Sequence, residues 1–277
     1  MLTPLLNSLR HIKGRLFPKN RKATPFVIGN LKLVVGNDLA WAFSSGDYYE
    51  KNVIHFLGLL IANYQKPVLV DIGANCGYYS TKYAAACQKV FSFEPVKGTF
   101  SLLKRNVRRN NLSNIVPFNL GLSNSPGSLT INIYNSSGNN SIFERVLPEG
   151  HPLQKTGTET IRLETLDNLV ATGQVLPPDV IKIDVEGAEL FVLKGAENTI
   201  LKHRPAILLE YSENTSTDAG YAKEELLTAL ALTNYNIYGL PEDETDMRLI
   251  TESEFQNNGL SNIMLIPAEN DPFKKTV

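Results

Sequence analysis

Short apolar runs alternate along the chain with stretches whose apolar positions recur every three or four residues. Pro67–Asp71, Lys89–Phe93, Ile115–Leu120, Val180–Asp184 and Ala206–Glu210 predict buried strands. Val53–Tyr64, Tyr78–Cys87, Val96–Asn110, Glu189–Lys202 and Lys223–Leu232 carry helical spacing. Tyr235–Tyr238 and Asn262–Ile266 read as a closing strand pair, and Phe26–Val35 as two short strands around a Gly29-Asn30 turn. Strand alternating with helix implies an α/β fold, a doubly wound, mostly parallel sheet covered on both faces.

Two stretches break the alternation. Residues 124–163 carry a predicted hairpin (Ser128–Tyr134) and then a loop rich in Gly, Asn and Pro, Asn135–Thr160. A loop of that length in a compact domain marks function or disorder. Residues 241–254 hold six acids and one Arg, and read as a solvated acidic connection. With 277 residues, a single large α/β domain over 26–277, motif core 49–210, fits as well as two domains.

Charge changes the picture at one end. Residues 1–37 hold seven basic residues and no acid, and the other 240 carry 20 basic against 28 acidic residues, a net of −8. An acidic body argues against nucleic acid as a partner. Leu2, Leu5, Leu6, Leu9, Ile12 and Leu16 recur at helical spacing among Arg10, Lys13 and Arg15. Residues 1–25 therefore read as a basic amphipathic arm, either packed on the domain or in peripheral contact with an anionic membrane. No stretch reaches the ~20 apolar residues of a spanning helix. Two cysteines, Cys76 and Cys87, cannot form a disulfide framework, so a reducing, cytoplasmic setting is the default expectation.

The chemistry concentrates at predicted strand ends. Val70-Asp-Ile-Gly-Ala-Asn-Cys-Gly77 is a strand-to-helix turn, where ligands of parallel sheets bind. Gly73 is expected to let the backbone turn sharply against a ligand, and Gly77 to open the helix. Asn75 is among the few non-glycine residues that tolerate a left-handed conformation. Glu94, in Phe93-Glu94-Pro95, ends the next strand, where a carboxylate accepts hydrogen bonds from ribose hydroxyls. The dinucleotide spacing G-x-G-x-x-G fails at Asn75 and Tyr78. Asp71, pointing into the crevice, would repel a pyrophosphate and favour a cation such as the sulfonium and amino group of S-adenosylmethionine. A dinucleotide oxidoreductase and a cofactor-binding module without transfer activity are the alternatives.

A third cluster, Asp184, Glu186 and Glu189 with Glu210 one strand on, is expected to converge on the same crevice. A hydroxyl acceptor must lose its proton to a base or to a metal-lowered pKa. Asp184 and Glu210 are the candidate bases. Asp184, Glu186 and Glu210 are the candidate oxygen ligands of a divalent ion such as Mg²⁺. Glu189 reads equally as an acid at a helix N-terminus. His151, in the long loop, is a further candidate base. His55 reads as packing, His203 as surface, and Cys87 as core.

These motifs, with Thr165-Leu-Asp167, Leu209-Glu-Tyr211 and Tyr49-Glu50, resemble the FkbM family of S-adenosylmethionine-dependent methyltransferases over Tyr49–Glu210. The resemblance implies a class I methyltransferase fold with a seven-stranded sheet whose last strand is antiparallel. It also implies O-methylation of a hydroxyl on a sugar, glycan or natural product. Asp71, Gly73, Ala74, Asn75, Gly77, Glu94 and Pro95 are the cofactor-binding set it suggests. Cys76 stands where an aliphatic residue is expected, its side chain in helix packing.

Overall fold

The computed structural model describes residues 23–36, 38–40, 43, 50–229, 234–241, 248–257 and 259–274. In chain order the elements are β1 (Thr24–Ile28), β2 (Leu31–Val35), α1 (Lys51–Ala62), β3 (Val68–Ile72), α2 (Tyr78–Tyr83), β4 (Lys89–Phe93) and α3 (Lys97–Arg109). There follow β5 (Ile115–Phe118), β6 (Gly121–Leu122), β7 (Gly127–Tyr134), β8 (Lys155–Glu164), α4 (Leu166–Ala171), β9 (Val180–Ile183), α5 (Glu189–Lys194) and α6 (Glu197–His203). The remainder is β10 (Ala206–Glu210), α7 (Glu213–Asp218), α8 (Glu224–Ala229), β11 (Tyr235–Pro241), β12 (Ile250–Thr251) and β13 (Leu260–Pro267).

The main sheet runs β12-β11-β13-β10-β9-β3-β4-β5. β5, β4, β3, β9 and β10 are parallel, and β13 runs antiparallel to both β10 and β11. The expected seven strands are present, and the two-residue β12 is an addition at one edge. Period-two alternation sorts the core into two layers. Val68, Val70, Ile72, Phe91, Phe93, Ile181, Ile183, Ile207 and Leu209 line one face against α4, α5 and α6. Leu69, Val90, Val180, Leu208 and Met264 line the other against α1.

The second face carries a polar row. Ser92, Asp71 and Lys182 are partners across the three central strands and are all buried. Their side chains project the same way, so charges enter a sheet whose other positions there are aliphatic.

β1 and β2 form the predicted hairpin, closed at Gly29-Asn30. Its third cluster joins Leu33 and Val35 to Cys76 and Tyr78, so Cys76 packs against the hairpin. The outer edge of β2 is capped by α3. Asn106 Oδ1 accepts from Val34 N–H at 2.7 Å and its Nδ2 donates to Val34 O at 2.9 Å. Asn110, one turn on, does the same to Lys32 at 2.8 and 3.0 Å. Four helical residues rise about 6 Å and two strand residues about 6.8 Å, so two asparagine amides spaced i, i+4 substitute for a neighbouring strand.

Three expectations need correction. The segment Ser128–Tyr134 is not a local hairpin: β7 is one strand paired with β8 in a small β6-β8-β7 sheet, and β8 takes the last part of the expected loop, leaving 135–154. Glu189–Lys202 is two helices, broken at Gly195, whose Cα lies so close to Ser123 O that a Cβ would stand 1.9 Å from it. His55 is exposed on α1 rather than packed. The second half of the Lys223–Leu232 helix, Tyr49, and the arm 1–22 lie outside the described residues. Cys76 and Cys87 are both free and buried.

Candidate active site

At the carboxyl end of β3 the chain turns through Gly73 (φ +81°), Asn75 (+49°) and Gly77 (+81°) into α2. Gly73 is required by its neighbour rather than by a ligand: a Cβ there would stand 1.7 Å from Asp184 O. Gly77 caps α2, and a Cβ would press on Leu103 of α3. Gly73 N–H and Ala74 N–H both donate to Phe93 O, tying the turn to the end of β4.

Asp71 is fully buried rather than open to the crevice. Ser80 Oγ donates to its Oδ2 at 2.5 Å, and Oδ1 has no partner. Burial raises its pKa, Lys182 and Ser80 pull it back. Glu94 is also buried, its Oε2 accepting from Asn75 N–H at 3.0 Å and its Oε1 from Val96 N–H at 2.9 Å. Burial pushes its carboxyl up to about 7. Each oxygen keeps a lone pair beyond its backbone bond. Pro95 leads from Glu94 into α3, and its carbonyl accepts from Asn119 at 2.7 Å.

The acidic cluster forms where the fourth and fifth strands of the parallel set end. Carboxylate oxygens of Asp184, Glu186 and Glu210 all lie within 4.8 Å of one another. Glu189 does not join them as a free carboxylate. Its oxygens accept from Val185 and Gly187 N–H and from Tyr221 O–H, and so build the 185–188 turn. Within that turn Glu186 holds a left-handed φ of +57°. Such strain persists only where surroundings enforce it. Glu210 Oε2 is buried with no partner. Burial first, then Glu186, Glu189 and Asp184, raise its pKa well above the carboxylate range.

Two cations answer this charge, and neither is among the residues the sequence singled out. Lys182, buried on β9, donates to Asp184 Oδ2 at 2.8 Å and lies over the Tyr79 ring at 4.6 Å. Burial alone would lower its pKa, but Asp184, Asp71 and Glu50 outweigh it and the ammonium is stabilised. Glu50 in turn accepts from Tyr79 O–H at 2.5 Å. Arg145 reaches in from the long loop to Glu186 and, at 3.4 Å, to Asp218. The same loop donates Ser141 Oγ to Glu186 O at 2.7 Å, and Asn75 Nδ2 lies 3.5 Å from Ser137 Oγ. Loop 135–154 thus touches both the Gly73–Gly77 turn and the acids. His151 sits in this loop, its Nδ1 accepting from Leu153 N–H at 3.1 Å. Among the described residues, the group that could hold a metal is Asp184, Glu186 and Glu210, without it. Lys182 was legible as the polar residue of Ile181-Lys-Ile-Asp184, two before an acid on the same strand face. Arg145 carried no local signal.

The methyltransferase FkbM domain model matches residues 71–237, more than half of the chain, with the Gly73–Gly77 turn, Glu94 and the acidic cluster inside it. The chain belongs to the FkbM methyltransferase family. Among the relatives of this FkbM domain is AglP of Haloferax volcanii, a hexuronic acid methyltransferase, 34% identical over 154 residues, 54% of this chain and 58% of that protein. The methyltransferase sdnD of Sordaria araneosa is 32% identical over 161 residues, 47% and 61% respectively. The chain thus spans about three fifths of the length of these relatives. An FkbM methyltransferase structure from Methylobacillus flagellatus aligns over 73% of this chain and 44% of that one, with TM-score 0.49 and 18% identity.

Proposed function

We propose that this FkbM domain transfers the methyl group of S-adenosylmethionine to a hydroxyl oxygen on a sugar, glycan or natural product. The observation that carries the reading is the pairing of two differently used carboxylates at adjacent strand ends. Asp71, buried beneath the turn with Oδ1 unpartnered, supports the turn with negative charge, and Glu94, with spare lone pairs, suits ribose hydroxyls. Gly73, Ala74, Asn75, Gly77 and Pro95 shape the turn between them. When bound, the cofactor supplies a methyl group already activated on sulfur.

The chain must then orient the acceptor and take its proton. With Oδ2 held by Lys182, Asp184 offers Oδ1 as the base, and Glu210 Oε2 faces the same cluster without a donor. Burial among acids raises the Glu210 pKa, so its carboxylate, once ionised, is a stronger base than an ordinary carboxylate. Ordering by the 135–154 loop excludes water and aligns the reactants, worth roughly 7–11 kcal/mol in well-oriented systems. His151 remains a candidate base from that loop.

A second reading is Mg²⁺ on Asp184, Glu186 and Glu210, since three hard oxygens within 4.8 Å match its preferences. Arg145 already pairs with Glu186, which favours the metal-free version. We also read residues 26–277 as one catalytic domain and 1–25 as a basic amphipathic arm, either packed on that domain or in peripheral contact with a membrane. Among the described residues, no helix is long and apolar enough to cross a membrane.

Transfer of labelled methyl from S-adenosylmethionine to a panel of sugars and glycans, with and without chelator, tests the reading. Label in an alkali-stable methyl ether supports it. Label in amines or in no acceptor contradicts it, and loss with chelator restored by Mg²⁺ selects the metal version.

A further inference from the structure

Two stretches of this sequence lack any Asp or Glu: residues 1–37 and residues 95–143. Together they carry twelve of the 27 basic residues and none of the 28 acids, so the rest of the chain has a net charge of −13. The fold sets the described part of the first, residues 23–36 with Lys32, beside the second. Asn106 and Asn110 of α3 bind the β2 backbone at Val34 and Lys32, which places Lys32 against the carboxyl-terminal end of α3.

The outer face of that half of α3 presents Lys104, Arg105, Arg108 and Arg109, all exposed, with Lys32 beside them. Among the described residues, Lys32, Arg105, Arg108 and Arg109 form no ion pair, so no neighbouring acid neutralises this cluster. The last turn of a helix accepts cations, but that accounts for Arg108 and Arg109 and not for the rest.

We propose that this face, the carboxyl-terminal half of α3 with the β1–β2 hairpin, docks on an anionic lipid bilayer. A positive face on a body of net −13 is attracted through one side and repelled through the others, so it sets orientation as well as affinity. Lipid is favoured over nucleic acid by the apolar groups that accompany the charge. Val27 of the hairpin is 74% exposed. The sequence leading into β1 carries the leucine stripe and further basic residues. Leucines insert into a bilayer and have no use on a polynucleotide. The one aromatic on α3, Phe100, is covered by Lys104 at 4.7 Å and offers no stacking platform for bases. None of these residues belongs to the acidic cluster, so the proposal does not depend on the reaction proposed above.

The test is co-sedimentation of the full chain with phosphatidylcholine vesicles, with and without phosphatidylglycerol, at low and high salt. Binding is expected only with the anionic lipid and is lost at high salt. In the full chain, R105Q/R108Q/R109Q should weaken apparent affinity by roughly tenfold or more, with melting temperature and S-adenosylhomocysteine affinity unchanged. L5N/L9N, which leaves α3 intact, separates the arm from this face. Unchanged pelleting of the α3 variant overturns the proposal, and so does loss confined to L5N/L9N. Tighter binding of the wild type to RNA than to anionic vesicles overturns it in favour of a polynucleotide.

Discussion

Lys182 Nζ bonds Asp184 Oδ2 at 2.8 Å across two residues of one strand, while Lys182 is also the cross-strand partner of Asp71. One buried ammonium therefore joins the carboxylate assigned to the cofactor side with the carboxylate assigned to the acceptor. Removing it leaves charge in the core without a counter-ion.

Lys182→Met should for that reason destabilise the fold by about 3–5 kcal/mol, the cost of breaking a buried ion pair from one side. Chemical denaturation checks this. A loss under about 1 kcal/mol would mean that Asp71 is neutral whether or not Lys182 is present.

Gly73 and Gly77 share a φ of +81° but differ in what a Cβ meets: the backbone oxygen of Asp184 in one case, the flexible Leu103 side chain in the other. Each Ala substitution carries backbone strain of about 1–2 kcal/mol. Gly73→Ala adds a clash that backbone cannot relieve, so its melting temperature should fall well below that of Gly77→Ala. The reverse order would show that the turn relaxes away from β9.

Glu94 predicts a pH dependence. Burial raises its pKa to about 7, so in the free protein it is protonated below that value. Ribose hydroxyls donate best to the carboxylate. Affinity for S-adenosylhomocysteine should therefore rise with pH through about 7 and level off above it, with proton release on binding. The same raised pKa means that Glu94 subtracts from stability as pH rises from about 4.5 to about 7. Titration calorimetry across this range should show the affinity change in the wild type and a flat profile in Glu94→Gln.

Asp184→Asn keeps shape and removes the proposed base. Methyl transfer should fall by about 10²–10⁴-fold, while S-adenosylhomocysteine affinity changes little. Activity surviving within roughly tenfold would assign proton removal to another group, with Glu210 next to be tested.

The sheet and the Gly73–Gly77 turn were legible because their signals are local. A five-residue run such as Val68–Ile72 shows burial on both faces, and the turn glycines sit at fixed offsets from it. Asp71 and Glu94 follow from strand ends. Lys182 was visible but carried no meaning until registration placed it beside Asp71. The break at Gly195, the pairing of β7 with β8 and the Arg145–Glu186 contact each depend on residues 21 to 72 positions away in sequence, which no short window contains. Gly73 shows the converse: the residue type was read correctly, and the reason for it, the approach of Asp184 O, lay on another strand.

Titration calorimetry of the wild type and Glu94→Ala with S-adenosylhomocysteine, beside NADH as control, tests the central claim most directly. The account predicts that the wild type binds S-adenosylhomocysteine and not NADH. It also predicts that Glu94→Ala weakens that binding by about 1–3 kcal/mol, the range for a hydrogen bond to a charged group. Equal affinity in Glu94→Ala, or preferential binding of NADH, would contradict it.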